Sequence, residues 1–130
     1  MNDLFAQVNF LYKGLDAAWL RNEVIADNIT NAETPGFKRS FVEFESLLQS
    51  NISDNAELKT TRDNHIKTVS GDVQPKIRQD QKTTVRMDGN NVDIEYEMNE
   101  LAKNTIWYQY MIQKVSKEIG RLKLVINEGR

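Results

Sequence analysis

The sequence predicts a mainly α protein. Two long terminal helices pair as a coiled coil, a short third helix follows a Thr-Pro-Gly turn, and the middle is irregular or a small β-hairpin. Three observations carry this reading. Apolar residues step by four and three over residues 2–31, and the same alternation runs unbroken over 94–126. Such spacing lines up one face of a helix. Between 51 and 88 the chain turns polar, with isolated apolar residues only. The expected organisation is an N-terminal helix at 1–33, a turn and short helix at 34–50, a polar insertion at 51–89 and a C-terminal helix at 90–130.

In the first helix the seam is Leu4, Val8, Leu11, Leu15, Ala18, Asn22, Ile25 and Ile29, with Asn22 the one polar member. Phe5, Tyr12 and Trp19 recur every seven residues beside it and are expected to widen the apolar stripe. The helix is expected to end near Asn31, because Thr34 precedes Pro35 and is pushed towards extended backbone. Pro35 suits the second position of a tight turn and Gly36 can take positive φ at the third, so 34–37 reads as a type II turn. Ser40 with Glu43 three residues on has the form of a capping box, and Phe41, Phe44, Leu47 and Leu48 follow at helical spacing. A short helix at 41–50 is expected.

Within the middle, "HIKTVSGDVQPKI" sets β-branched residues on either side of a Ser-Gly-Asp turn signal. Either a hairpin, with Pro75 confining its second strand to an edge, or an extended insertion fits. The last helix is the strongest signal. Its seam is Ile94, Met98, Leu101, Thr105, Tyr108, Ile112, Val115, Ile119, Leu122 and Ile126. Asn90 or Asn91 is expected to cap it, acidic residues gather at its start, and Lys114, Lys117, Arg121 and Lys123 gather towards its end, as the helix dipole favours. Gly120 inside it either admits a close backbone approach or is simply tolerated.

A polar middle cannot cover two such stripes. The terminal helices must pack on each other, on other chains, or on both, as a parallel or antiparallel pair. Trp19, Trp107, Tyr108 and Tyr110 supply more apolar area than one seam uses, which points to lateral contacts with neighbours.

Composition narrows the function classes. The chain has 130 residues, enough for one modest domain, with 39% hydrophobic and 28% charged residues. A formal net charge of −2 gives no bulk basic field for nucleic acid, and no apolar run approaches a membrane span. The absence of cysteine removes thiol chemistry and Cys-based metal sites. The start, "MNDLFAQVNF", is not expected to act as a standard secretory signal. His65 is the only histidine and has no nucleophile beside it, and the carboxylates show no metal-ligand spacing. No enzyme, cofactor or metal site is expected.

"VIADNITNAETPGFKR" resembles the signature near the N-terminus of bacterial flagellar axial proteins, the family of rod, hook and related subunits. Ala26, Asn28, Ile29, Asn31, Ala32, Thr34, Pro35, Gly36, Phe37 and Lys38 match it, whereas Asp27 and Thr30 are mild departures. "DGNNVDIEYEMNELAKNTIWYQYMIQKVSKEIGRLKLVI" is similar to the C-terminal segment of short proximal-rod members. "TRDNHI" is similar to a Thr-rich run of the same members.

The resemblance implies a structural subunit of the proximal rod, part of a drive shaft passing torque from motor to hook. Its implied partners are copies of itself, rod protein C, distal rod proteins, the ring–rod junction protein, and MS-ring and export-gate components. It implies export by the flagellar type III system without a cleaved signal, and a periplasmic place in the basal body. The residues assigned to subunit contact are Asn28, Asn31, Thr34, Pro35, Gly36, Phe37, Lys38, Arg39, Leu101, Tyr108, Ile112, Val115, Ile119 and Leu122. In this expectation Asn28 and Asn31 satisfy free carbonyls of their own helix or of the next subunit, while Lys38 and Arg39 reach acidic neighbours. The competing reading is a small cytosolic coiled-coil adaptor or secretion chaperone, which heptads alone fit equally well.

Overall fold

The computed structural model of the protein describes residues 2–56, 73–81, 83 and 87–128, with side chains over 8–50, 73–81, 83 and 87–127. In chain order the elements are α1 (Asn2–Thr30), β1 (Ser40–Glu43), α2 (Glu45–Ala56), β2 (Lys76–Gln79) and α3 (Ile94–Glu128). At 35 residues α3 is roughly 50 Å long.

α1 and α3 pack antiparallel, as three contacts at successive levels define. Gly14 faces Met111, Asn22 meets Asn104, and Asn28 meets Glu97. At the first level a Cβ on Gly14 would lie 2.5 Å from Met111 Cε, so the missing side chain is what lets the methionine seat there. On α1 the buried residues are Val8, Gly14, Ala17, Ala18, Val24, Ile25 and Asn28. On α3 they are Glu97, Asn104, Met111 and Val115.

This face of α3 is not the one that apolar spacing predicts. Leu101, Tyr108, Val115, Ile119 and Leu122 of the expected seam are buried or half-buried, but Ile94, Met98, Thr105, Ile112 and Ile126 stay exposed. The contact stripe is rotated towards Glu97, Asn104 and Met111. Two of those three are polar, which is why hydrophobic periodicity overlooks them. On α1, Tyr12 and Trp19 do not widen the buried stripe but stand exposed on the outer surface. The side chains of Leu4 and Phe5 lie outside those described. Gly120 has open space around it within the chain.

The segment after the turn departs from the expected helix at 41–50. Residues 40–43 form a strand, and the helix begins at Glu45. Ser40 does not cap a helix, because its backbone N–H and C=O are both taken by the side chain of Asn28. The Glu43 carboxylate instead accepts from Ser46 Oγ at 3.1 Å and from Arg78 Nε at 2.8 Å. Those hydrogen bonds, Arg78's first, hold its carboxyl below the usual range.

β1 pairs antiparallel with β2 in the register Ser40 with Gln79 to Glu43 with Lys76. The strand partner of the middle segment is therefore β1, across a long connection. The hairpin expected around Ser70-Gly71-Asp72, like His65, lies outside the described residues. Pro75 sits immediately before β2, where its missing N–H disrupts no ladder. A small core of Ala17, Phe44 and Val73, with Leu47 and Leu48 against it, fixes the start of α2 to α1. Arg21 and Glu45 tie the same two helices at 2.8 Å across the surface.

Candidate functional site

The most constrained place in the molecule is the corner where α1 ends and α3 begins. It is built from two stretches far apart in sequence, 28–40 and 88–97. α1 closes with Thr30 Oγ1 donating to the Ala26 carbonyl at 2.8 Å and Asn31 Nδ2 donating to the Asp27 carbonyl at 2.9 Å. The chain then reverses. The Phe37 N–H donates to the Thr34 carbonyl at 3.2 Å, and Gly36 holds φ 73°, where a side chain is strained.

From the other side the 88–91 loop clasps this reversal. Asn90, fully buried, directs Nδ2 at the carbonyls of Asn31, Ala32 and Thr34 at 3.1, 3.0 and 2.8 Å. These carbonyls belong to the reversal just beyond the end of α1, where no further helical turn supplies donors, and those of Asn31 and Thr34 also accept a backbone N–H. The Gly36 N–H reaches the Asp88 carbonyl at 3.1 Å. Gly89 makes the loop tight enough by taking φ 85°, with a Cβ position only 3.8 Å from Gly36 Cα. Asn90 Oδ1 also accepts from the Val92 N–H at 2.7 Å.

Below the clasp lies a buried ionic centre. Glu97 is 0% exposed and pairs with Arg39 Nε, while Asn28, also 0% exposed, donates to its other oxygen at 3.2 Å. Asn28 further brackets Ser40, giving Nδ2 to its carbonyl at 2.7 Å and accepting its N–H at 2.9 Å. One amide thus stands in for a neighbouring β-strand along the open edge of β1. The Arg39 guanidinium stacks over the Tyr96 ring at 4.8 Å, and the Arg39 N–H is held by Asn91 Oδ1. Asn91 donates onward to the Asp80 carbonyl and to Thr83 Oγ1, both at 2.9 Å. A buried carboxylate left unpaired would be costly, and here every neighbour is placed to satisfy it.

The expected helix cap is also revised. Neither Asn90 nor Asn91 caps α3. Asp93 does, accepting the Glu95 N–H at 3.0 Å on Oδ1. The asparagines are spent on the corner instead.

Of the residues picked from sequence, Asn28, Asn31 and Thr34 to Arg39 all sit in this corner. Their contacts here are within the chain: Arg39 with Glu97, and Lys38 Nζ with the Thr83 carbonyl at 3.1 Å. Leu101, Tyr108, Ile112, Val115, Ile119 and Leu122 lie along α3, away from it, and of these Ile112 is the one exposed at 41%. The sequence sets Glu97 among the acidic residues at the start of α3, and Glu97, Asn104 and Asn90 among the positions of the C-terminal resemblance, but it assigns no buried contact to Glu97 or Asn104 and no clasping role to Asn90 or Asn91. Glu97 and Asn104 stand seven apart on a helix whose other inward positions are apolar.

Beside the corner is a shallow cavity of about 270 Å³, lined among others by Arg21, Ile25, Arg39, Phe41, Tyr96 and Glu100. Among the described residues no group of three His, Asp or Glu is placed to hold a metal ion, and no helix is long and apolar enough to cross a membrane. The arrangement sets an angle and locks it.

No family model matches the chain. It is similar to flagellar basal body rod protein FlgB of Borreliella burgdorferi, 37% identical over 134 aligned positions that cover 97% of this chain and 99% of that protein. FlgB of Bacillus subtilis is 33% identical over 120 positions, covering 92% of each. FlgB of Escherichia coli K12 is 29% identical over 140 positions, covering 99% of each.

Proposed function

This chain belongs to the family of flagellar basal body rod proteins FlgB, and from that membership we propose that it is a structural subunit of the proximal rod, part of the shaft that carries torque to the hook. The observation that supports this reading best is the unused half of the α3 seam. Ile94, Met98 and Ile112 stay 40%, 54% and 41% exposed although a whole partner helix lies alongside. A self-sufficient two-helix adaptor has no reason to keep them, whereas a subunit that packs between copies does.

In this reading α1 and α3 act as one coiled-coil strut, with 1–33 and 90–130 forming the shaft of the assembly. The 34–37 reversal works as a type II turn, 34–50 makes the corner, and 51–89 is a polar insertion. Asn31, Thr34, Pro35, Phe37 and Lys38 present the corner to the next subunit. Asn28, Gly36 and Arg39 act from within by keeping its shape. Leu101, Tyr108, Ile112, Val115, Ile119 and Leu122 line the strut and its lateral contacts. Neighbours are further copies, rod protein C and distal rod proteins above, and the ring–rod junction protein, MS ring and export gate below. The subunit reaches the periplasm through the flagellar type III pathway.

The test is to locate a tagged subunit in purified basal bodies. Label at the base of the rod, on the cell side of the distal rod, is the expected result. A tagged protein absent from basal bodies and retained in the cytosol with export substrates would favour the adaptor reading.

A further inference from the structure

Away from the corner, the contact between α1 and α3 contains a polar pair, Asn22 with Asn104. Asn104, 3% exposed, donates Nδ2 to the Ala18 carbonyl at 2.7 Å and to Asn22 Oδ1 at 2.8 Å. Its own Oδ1 is buried with no hydrogen-bond partner among the described residues. An under-satisfied buried amide is a poor source of stability, since two apolar residues of like size would suffer no such penalty.

We propose that the Asn22–Asn104 pair sets the register between α1 and α3, selecting one of several heptad-related alignments that the apolar residues alone would accept. The seam of α1 repeats every seven residues, so a slide of α3 by one heptad still meets apolar positions. It does not still meet Asn22. The heptad-equivalent positions are Leu15 and Ile29, and those of Ala18 are Leu11 and Ile25. In a slipped alignment the Asn104 amide faces aliphatic side chains, and branched residues cover the carbonyl that Ala18 leaves open.

The Glu97 ionic centre does not enforce this register unaided. Slid one heptad towards the start of α1, Glu97 leaves Asn28 but comes opposite Arg21, a residue able to satisfy a carboxylate. Between the two helices themselves, the Asn22–Asn104 pair is the polar contact for which the slipped alignment offers no substitute. The role concerns how one chain folds on itself, and stands whether or not rods are built from it.

The chain has no cysteine, so introduced pairs report alignment without background. Met111→Cys with Gly14→Cys reports the observed register, because those residues face each other. Met111→Cys with Gln7→Cys reports the slipped one. The full-length chain carrying each pair is oxidised in dilute solution, with and without Asn22→Leu/Asn104→Leu. In the parent the first pair closes and the second closes at least ten times less. In the double-Leu background the slipped-to-native ratio is expected to rise on the order of tenfold, with a thermal midpoint no lower than the parent's. An unchanged ratio overturns the proposal. So does a double-Leu chain that melts lower or fails to fold, because the pair would then be a source of stability rather than of register.

Discussion

The corner and the far half of α3 are opposite solutions to one problem. At the corner, Asn28, Asn90 and Glu97 are fully buried and each is met by partners from distant sequence. Along the far half, Leu124, Val125 and Ile126 are 56%, 59% and 69% exposed, and just before the helix midpoint Trp107 stacks on Tyr110 at the surface with ring centroids 5.6 Å apart. Polar groups demand directional partners and so define one geometry. Apolar faces accept any complementary surface. A subunit whose angle is fixed at one end and whose surface is left unfinished at the other is suited to repeated packing.

Arg39→Met is the sharpest way to break the contrast. It leaves the Glu97 carboxylate buried without its cation, so about 3–5 kcal/mol of subunit stability is expected to go. Chemical denaturation of the purified chain reads this loss. A loss below about 1 kcal/mol would place the ionic centre on the same footing as a surface ion pair.

Asn90→Ala removes the donor shared by three carbonyls and the acceptor of the Val92 N–H. Losing these hydrogen bonds at a buried site is expected to cost about 2–3 kcal/mol, read by the same denaturation. Amide exchange is expected to quicken at Val92 before it changes at Val115.

Gly36→Val places a β-branched residue at φ 73° and is expected to cost about 1–3 kcal/mol. Gly36→Asn is expected to be milder, since Asn tolerates left-handed backbone. No atom lies within 4 Å of a Cβ built at Gly36, so within the subunit the cost is one of backbone angle alone. Basal-body yields from both strains separate the causes. Equal damage by Asn and Val would mean that a neighbouring subunit, not φ, excludes the side chain.

On the unfinished side the effects on the subunit shrink. Gly120 sits exposed inside α3 with open space around it, so Gly120→Ala is expected to stabilise the lone chain by about 0.5–1 kcal/mol. A higher melting point together with fewer complete rods would show that Gly120 serves close approach between subunits. Ile112→Glu is expected to shift subunit stability by less than about 0.5 kcal/mol, because the side chain is already exposed. Basal-body yield is nonetheless expected to collapse. Normal yields would remove the exposed half of the α3 seam from any role in assembly.

The sequence by itself determined both long helices and their limits to within a few residues, because a 3.5-residue apolar period sustained over four heptads or more has no other regular solution. Its expectation of a turn at 34–37 is equally local, since Pro35 and Gly36 leave few backbone choices. What it left open was which face of α3 meets α1. Apolar spacing counted Ile94, Met98 and Ile112 inward. Glu97 and Asn104 displaced them, because each finds on α1 a partner that pattern reading cannot see, 69 and 82 residues away. The strand at Ser40–Glu43 was hidden for the same reason. Its local sequence reads as a helix cap, and only Asn28 on one side and β2 on the other make extended backbone the better-bonded choice. Periodicity and turn chemistry are local and survive in sequence. Hydrogen bonds between distant residues exist only once the fold has brought donor and acceptor together, so the tertiary structure decided the buried polar corner and which face of α3 meets α1.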